Sequence, residues 1–214
     1  MYSFMGGGLF CAWVGNILLV VATATDHWMQ YRLSGAFAHQ GLWRYCLSNK
    51  CYLQTESIGK SVGVGKGGEW GKLEAISEGR QWHQWRCQLG LKENKGATRA
   101  YWNATRAFMI LASLCCFAGI VIGILAFAQL PTFHRLTRPF SAGIMFFIST
   151  LFVLLAMAIY TGVTVSFLGR RFGDWRFSWS YILGWVSLLM TFFAGIFYMC
   201  AYRMHECRRL SGPR

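Results

Sequence analysis

Four uninterrupted apolar runs constrain this chain more than anything else in it. They cover 5–24, 107–128, 142–167 and 181–202, and none contains Asp, Glu, Lys or Arg. Each reaches the roughly 20 residues that a helix needs to cross about 30 Å of hydrocarbon. Backbone polar groups in lipid must be satisfied within their own segment, so the runs are predicted to be helices. The expected fold is all-α and transmembrane: one four-helix domain over 1–214, with a long first loop at 25–106 and a short tail at 203–214. Little chain is left for a separate soluble domain. The composition agrees, with 55% hydrophobic, 17% aromatic and only 14% charged residues.

The first run has a rival reading as a secretory signal, with Ala22-Thr23-Ala24 as the cleavage site. The first ten residues carry no Lys or Arg, however, and the apolar run is long with Trp13 within it, so a retained helix is the better reading. Four spans put both termini on one side. Arg135 and Arg138 in the middle loop and Arg203, Arg208, Arg209 and Arg214 in the tail favour a cytoplasmic placement. Arg170, Arg171 and Arg176, partly offset by Asp174, lie after the third span and weaken that bias.

The first loop decides the orientation. Cys46 and Cys51 are spaced for a hairpin disulfide, and such a bridge persists in a non-cytosolic compartment. The alternative is two free thiols. Asn103-Ala104-Thr105 is a glycosylation sequon, which also belongs outside the cytosol. Trp43 and Trp102 are weaker candidates for C-linked mannose. The cysteine pair and the sequon place the first loop on the lumenal or extracellular side, so a multi-pass chain with cytoplasmic termini is expected.

Within the spans the residues describe packing. Gly119 and Gly123 form a small-xxx-small pair, and Gly7, Gly8, Gly15, Gly184 and Gly195 offer similar close approach. Asn16, polar at membrane depth, is expected to hydrogen-bond between helices. A pump or proton relay would need ionisable residues there. Nothing assembles catalytic roles: Cys115 and Cys116 are adjacent rather than a redox pair, and His27, His39, His83, His134 and His205 are scattered without ligand spacing. Gly63-Val64-Gly65-Lys66 lacks the rest of a phosphate loop. No enzyme, cofactor or metal is expected. The net charge of +13 lies in loops and flanks without a recognition motif, so no nucleic-acid partner is predicted either.

Trp28, Gly41-Leu42-Trp43, Cys46 and Cys51 resemble the first-loop signature of the peripheral myelin protein 22, epithelial membrane protein and claudin superfamily. Ala104-Thr105-Arg106-Ala107-Phe108-Met109 is similar to that family's entry into its second helix, with Arg106 matching an arginine that caps the outer end. The resemblance implies a left-handed four-helix bundle carrying a small extracellular β-sheet from the first loop. Trp28, Trp43 and the bridge would hold the sheet, and Arg106 would tie it to the bundle.

The short Cys46–Cys51 interval departs from typical claudins and is closer to the myelin and lens branch. That branch implies a structural, adhesive role at lens fibre cell junctions, serving transparency. Partners would be the bilayer and the same or related membrane proteins, in cis and across apposed membranes. The competing expectation is a claudin-like paracellular channel or barrier, or a channel regulatory subunit. Arg32, Arg44, Lys50 and Glu56 give no clear single-sign ring for a pore.

A second departure lies at 59–99, which is rich in Gly and mixed charge and reads as a flexible insertion, such as a splice product. Joining Ile58 to Ala100 would restore a strand leading into a helix. A short helix at 72–87 is poorly patterned; Trp70, Trp82 and Trp85 are the apolar exceptions in the insertion, candidates to dock on the sheet, lipid headgroups or a neighbouring molecule, and Cys87 adds a third loop cysteine. In the tail, Arg208-Arg209-Leu210-Ser211 resembles a basophilic kinase site, and added phosphate at Ser211 would loosen contact with anionic lipid. Cys207 is a candidate for acylation, and a basic tail is also a candidate for calmodulin.

Overall fold

The computed structural model describes residues 2–33, 36–47, 50–53, 95–127, 137–168 and 175–210. Helix α1 spans Tyr2–Ala24. Four strands follow: β1 at Met29–Leu33, β2 at Ala36–Gln40, β3 at Arg44–Leu47 and β4 at Lys50–Leu53. Helix α2 is Lys95–Phe127. Helix α3 is Thr137–Val163, and a π-helical stretch at Thr164–Leu168 extends it. Strand β5 is Trp175–Phe177, and helix α4 runs over Trp179–Leu210.

The candidate spans are Ser3–Ala24, Ala100–Ala126, Pro139–Ser166 and Trp179–Met204. All four helices overrun the sequence-based bounds, α2 and α4 the furthest. The first turn of α2, from Lys95, lies inside the stretch read as an insertion, and α4 carries most of the 203–214 tail as helix up to Leu210. The apolar pattern ends where lipid ends; the hydrogen-bond ladder of a helix continues beyond it. The proposed helix at 72–87, together with Trp70, Trp82, Trp85, Cys87 and Ser211, lies outside the described residues.

In the bundle, α1 packs along α4 and α2 along α3, with α3–α4 and α1–α2 contacts closing the ring. The outer surface is apolar: Phe10, Leu114, Phe117 and Ile182 are exposed and face the position of lipid. Water-driven burial between helices is absent in a membrane, so packing and hydrogen bonds must hold them. Ser113 Oγ donates to Asn16 Oδ1 at 3.4 Å between α2 and α1. Thr150 Oγ1 donates to Thr191 Oγ1 at 3.1 Å between α3 and α4. Ser149 Oγ reaches the Ala112 carbonyl of α2 at 2.8 Å.

Two cores stack along the bundle. One lies toward the sheet, around Trp28, Leu42, Met109, Met157 and Tyr160. The other lies at the far end, around Met5, Ile120, Phe146 and Tyr198. In the far core the glycines work differently from the expected backbone approach. A Cβ on Gly119 would come 2.8 Å from the Phe146 ring, and one on Gly123 would strike the Tyr198 hydroxyl. They are sockets for aromatic rings. Gly8 and Gly15 face α4 side chains in the same way, and Gly184 and Gly195 face side chains of α3, but a Cβ on Gly7 would meet nothing within 4 Å.

The sheet is antiparallel, in the order β4-β3-β2-β1-β5. It is not built from the first loop alone. The connection between α3 and α4 contributes β5, which pairs with β1 in the register Met29↔Phe177, Gln30↔Arg176 and Tyr31↔Trp175. Both loops therefore meet at one end of the bundle.

Candidate functional site

The site grows from the way α1 ends. After Ala24 the chain turns, and Thr25 Oγ1 bonds back to the Val21 carbonyl at 2.8 Å and across to Ser180 Oγ at 2.8 Å. Trp28 then enters the bundle mouth fully buried. Its indole N–H donates to the Ala22 carbonyl at 2.7 Å, and its ring meets Tyr160 edge-on at 4.7 Å. The backbone of Trp28 is held on both sides: its N–H bonds to Gln40 O at 3.0 Å, and its carbonyl accepts from Ser178 N at 3.0 Å. One residue thus joins β1, β2 and the start of α4.

Gly41, Leu42 and Trp43 form the second tie. A Cβ on Gly41 would collide with Asp26 Cα and approach Thr25 O to 2.9 Å, so this close backbone crossing requires glycine. Leu42 is fully buried in the upper core. Trp43 donates its indole N–H to Thr23 O at 2.9 Å. Arg106 reaches over from α2: its Nε donates to the Leu42 carbonyl at 2.7 Å, and its guanidinium carbon lies 5.0 Å from the Trp43 ring centroid. Arg106 is buried and also bonds Asn103 Oδ1 at 3.3 Å. It does not cap the helix end, because α2 begins at Lys95. It acts sideways, as a strut from the flank of α2 to the turn before β3.

The same geometry locates the modification candidates. Asn103 is exposed but lies inside α2, and the Thr105 hydroxyl of its sequon is buried and bonded to Tyr101 O at 3.0 Å. Trp43 and Trp102 pack into the junction, Trp102 edge-on to Tyr160 at 5.6 Å, so neither is a free surface indole.

Cys46 and Cys51 are bridged across the β3–β4 hairpin as direct register partners. The bridge lies beside His39, which pairs with Cys46. Among the described residues His39, Cys46 and Cys51 form the one cluster with metal-ligand proximity, but both sulfurs are in the disulfide and offer no thiolate. Among the described residues Cys11, Cys115, Cys116 and Cys200 are free thiols.

Three features escaped the sequence reading. β5 is the first, although Trp175, Phe177 and Trp179 alternate as a strand would. The second is the stacking of His27 on His39, with ring centroids 4.4 Å apart and Trp179 stacked on the other partner at 5.6 Å. Burial, then His27, pushes the His39 pKa down, while Asp26 opposes the shift. The third is the bundle-facing side of the sheet, where Met29, Tyr31 and Ala38 are buried with Trp175 against them. Burial, aided by Tyr45, pushes the Tyr31 hydroxyl up to about 12.

Four apolar helices carrying a disulfide-closed sheet, latched by two tryptophans and an arginine, define a multi-pass membrane protein with a four-helix bundle. The chain belongs to the PMP-22/EMP/MP20/Claudin family, whose model matches residues 1–78 and 79–198. It is 72% identical to the lens fiber membrane intrinsic protein of Bos taurus over 214 residues, covering 100% of both chains. The Homo sapiens protein of that name is 69% identical, again over 100% of both. Epithelial membrane protein 2 of Danio rerio is 27% identical over 183 residues, 86% of each chain.

Proposed function

We propose that this chain is a structural and adhesive membrane protein of lens fibre cells, organising close contacts between their membranes. The observation that supports this most is the sheet itself. It is fastened to the bundle at Trp28, Trp43 and Arg106 and turns its other face outward, as a rigid contact surface requires. The lens fiber proteins that match the whole chain supply the tissue. The Cys46–Cys51 bridge and the arginine-bearing end of α4 favour an extracellular sheet and cytoplasmic termini. The basic helical end of α4 is then the side offered to anionic lipid, calmodulin or a kinase acting at Ser211.

The reading is tested with vesicles that carry the full chain, mixed with vesicles of native lens fibre membrane. Contact formation above that of protein-free lipid supports adhesion. Conductance across a cell layer that expresses the chain gives the competing result. A layer that gains or loses ion permeability, with no gain in membrane contact, would overturn adhesion in favour of a channel or barrier.

A further inference from the structure

Strand register separates the sheet into two unlike faces. Residues two apart share a face, and directly paired residues share it too. Arg32 pairs with Phe37, Gln30 pairs with Arg176, and Arg44 pairs with Leu53. These residues all lie on the side away from the buried Met29, Tyr31 and Ala38. Arg32, Arg44 and Arg176 are exposed, as are Phe37 at 67% and Leu53 at 46%. Apolar exposure on the bundle faces lipid, but this sheet lies beyond the spans, where exposed Phe and Leu need another cover. A cavity of about 250 Å³ opens there between Gln30, Tyr31, Arg32, Phe37 and Arg176. Arg32 is already ordered within it, its guanidinium carbon 4.6 Å from the Phe37 ring centroid.

We propose that this face is a recognition site for the carboxylate side chains of an acidic loop on a partner protein. The proposal rests on the extracellular placement of the sheet argued above. Every described cation on the face is arginine, whose planar fork takes a carboxylate in two parallel hydrogen bonds. Stacking on Phe37 fixes the Arg32 fork in advance, so less freedom is lost on binding. Arginine beside exposed aromatic and aliphatic residues is the composition of a protein interface core. A sulfated glycan is a poorer occupant, because a polyanion calls for a continuous basic run, and here Arg32 and Arg44 each pair with an apolar residue and Arg176 pairs with Gln30. A second copy presenting the same face is poorer still. No Asp or Glu lies on it among the described residues, so a two-fold contact would set arginine against arginine.

The test uses the full chain in lipid nanodiscs and a fluorescein-labelled peptide of alternating glutamate and leucine. Binding is read by anisotropy at about 150 mM salt, where long-range attraction is screened. Arg32→Gln with Arg176→Gln is expected to weaken binding about tenfold, and Phe37→Ser roughly threefold. Arg203→Gln, which removes one charge at the far end of α4, should change it less than about twofold. Arg32→Lys keeps the charge and the fold and should still lose affinity, because the fork is gone. Equal losses from Arg203→Gln, with none from Phe37→Ser, would reduce the site to a general field and overturn the proposal. Displacement by a heparin hexasaccharide below the peptide's own dissociation constant would reassign the face to a polyanion. Disc-to-disc association abolished by the same arginine variants would reassign it to a second copy. The measurement needs only one membrane, so it can fail while vesicle contacts form, or succeed while they do not.

Discussion

At the sheet end of the bundle, Trp28 and Trp43 each carry a polar atom into the packing, and each is matched to a backbone carbonyl, of Ala22 and Thr23. Arg106 does the same with Leu42. At the opposite end, Phe146 and Tyr198 fill sockets over Gly119 and Gly123, and the Tyr198 hydroxyl, like that of Tyr160 in the core toward the sheet, is buried with no hydrogen-bond partner among the described residues. Both ends are well filled, but they are specified differently. Directional bonds fix the sheet in one orientation, since a misplaced indole leaves a buried donor unpaired. The far end relies more on shape, with dispersion between close surfaces beside the weak Cys116 Sγ bond to the Ala12 carbonyl.

The largest effect should come from removing Trp28. Trp28→Ala empties the upper core and is expected to cost about 3–5 kcal/mol, against a similar loss for Phe146→Ala in the lower one. The two should differ in what they release. With Trp28 gone, β1, β2 and the start of α4 lose their common anchor, so the Cys46–Cys51 bridge should be reduced faster by dithiothreitol. Phe146→Ala should leave the reduction rate unchanged. Equal reduction rates in the two variants would mean that the sheet does not depend on its directional ties.

A smaller effect sharpens the other half of the comparison. Gly123→Ala should destabilise by about 1–3 kcal/mol, because its methyl meets the Tyr198 hydroxyl. Tyr198→Phe alone should be neutral or stabilising, since it removes a buried polar group that lacks a partner. In the double variant the alanine penalty should shrink, with a coupling of about 1 kcal/mol. Thermal unfolding of the four proteins in one detergent measures this cycle. Strictly additive losses would show that the socket does not act through the hydroxyl.

The two ends also differ in how far they could be read from the sequence. Spacing alone picked out Gly119 and Gly123, but not that rings rather than a backbone would fill them; helical periodicity says which residues share a face, never what stands opposite. The loop signature singled out Trp28, Trp43 and Arg106, yet the Arg106–Leu42 bond spans 64 positions and exists only once the helices have assembled. Helix ends were misjudged because the lipid-driven pattern stops before the ladder does, at both Lys95 and Leu210. β5 has only three residues, too few for alternation to outweigh the adjoining helix. His27 and His39 looked unrelated because the β1–β2 hairpin that brings them together leaves no mark on either residue.

That histidine stack provides the smallest test, and it belongs to the directional end. His39 projects from β2 in the row Arg176, Gln30, His39, Cys46, Cys51, with His27 stacked on it, Trp179 stacked in turn on His27, and Asp26 near. Its pKa is lowered from the ordinary value of 6.5 by burial first and by His27 second, against the pull of Asp26. A lowered value in the folded state means that, as pH falls below the ordinary value, the unfolded chain takes up a proton that the folded chain resists. Stability is therefore full above about pH 6.5 and declines as pH falls through the folded value. His39 is only partly buried, so the decline should be slight. His39→Phe keeps a flat ring against His27 and removes the titration. The unfolding midpoint of the native chain, followed from about pH 7.5 down to about 5.5, should fall, and that of the variant should fall less. Parallel curves would move the acid sensitivity away from this stack, leaving the hydrogen-bonded end no more responsive to pH than the socketed one.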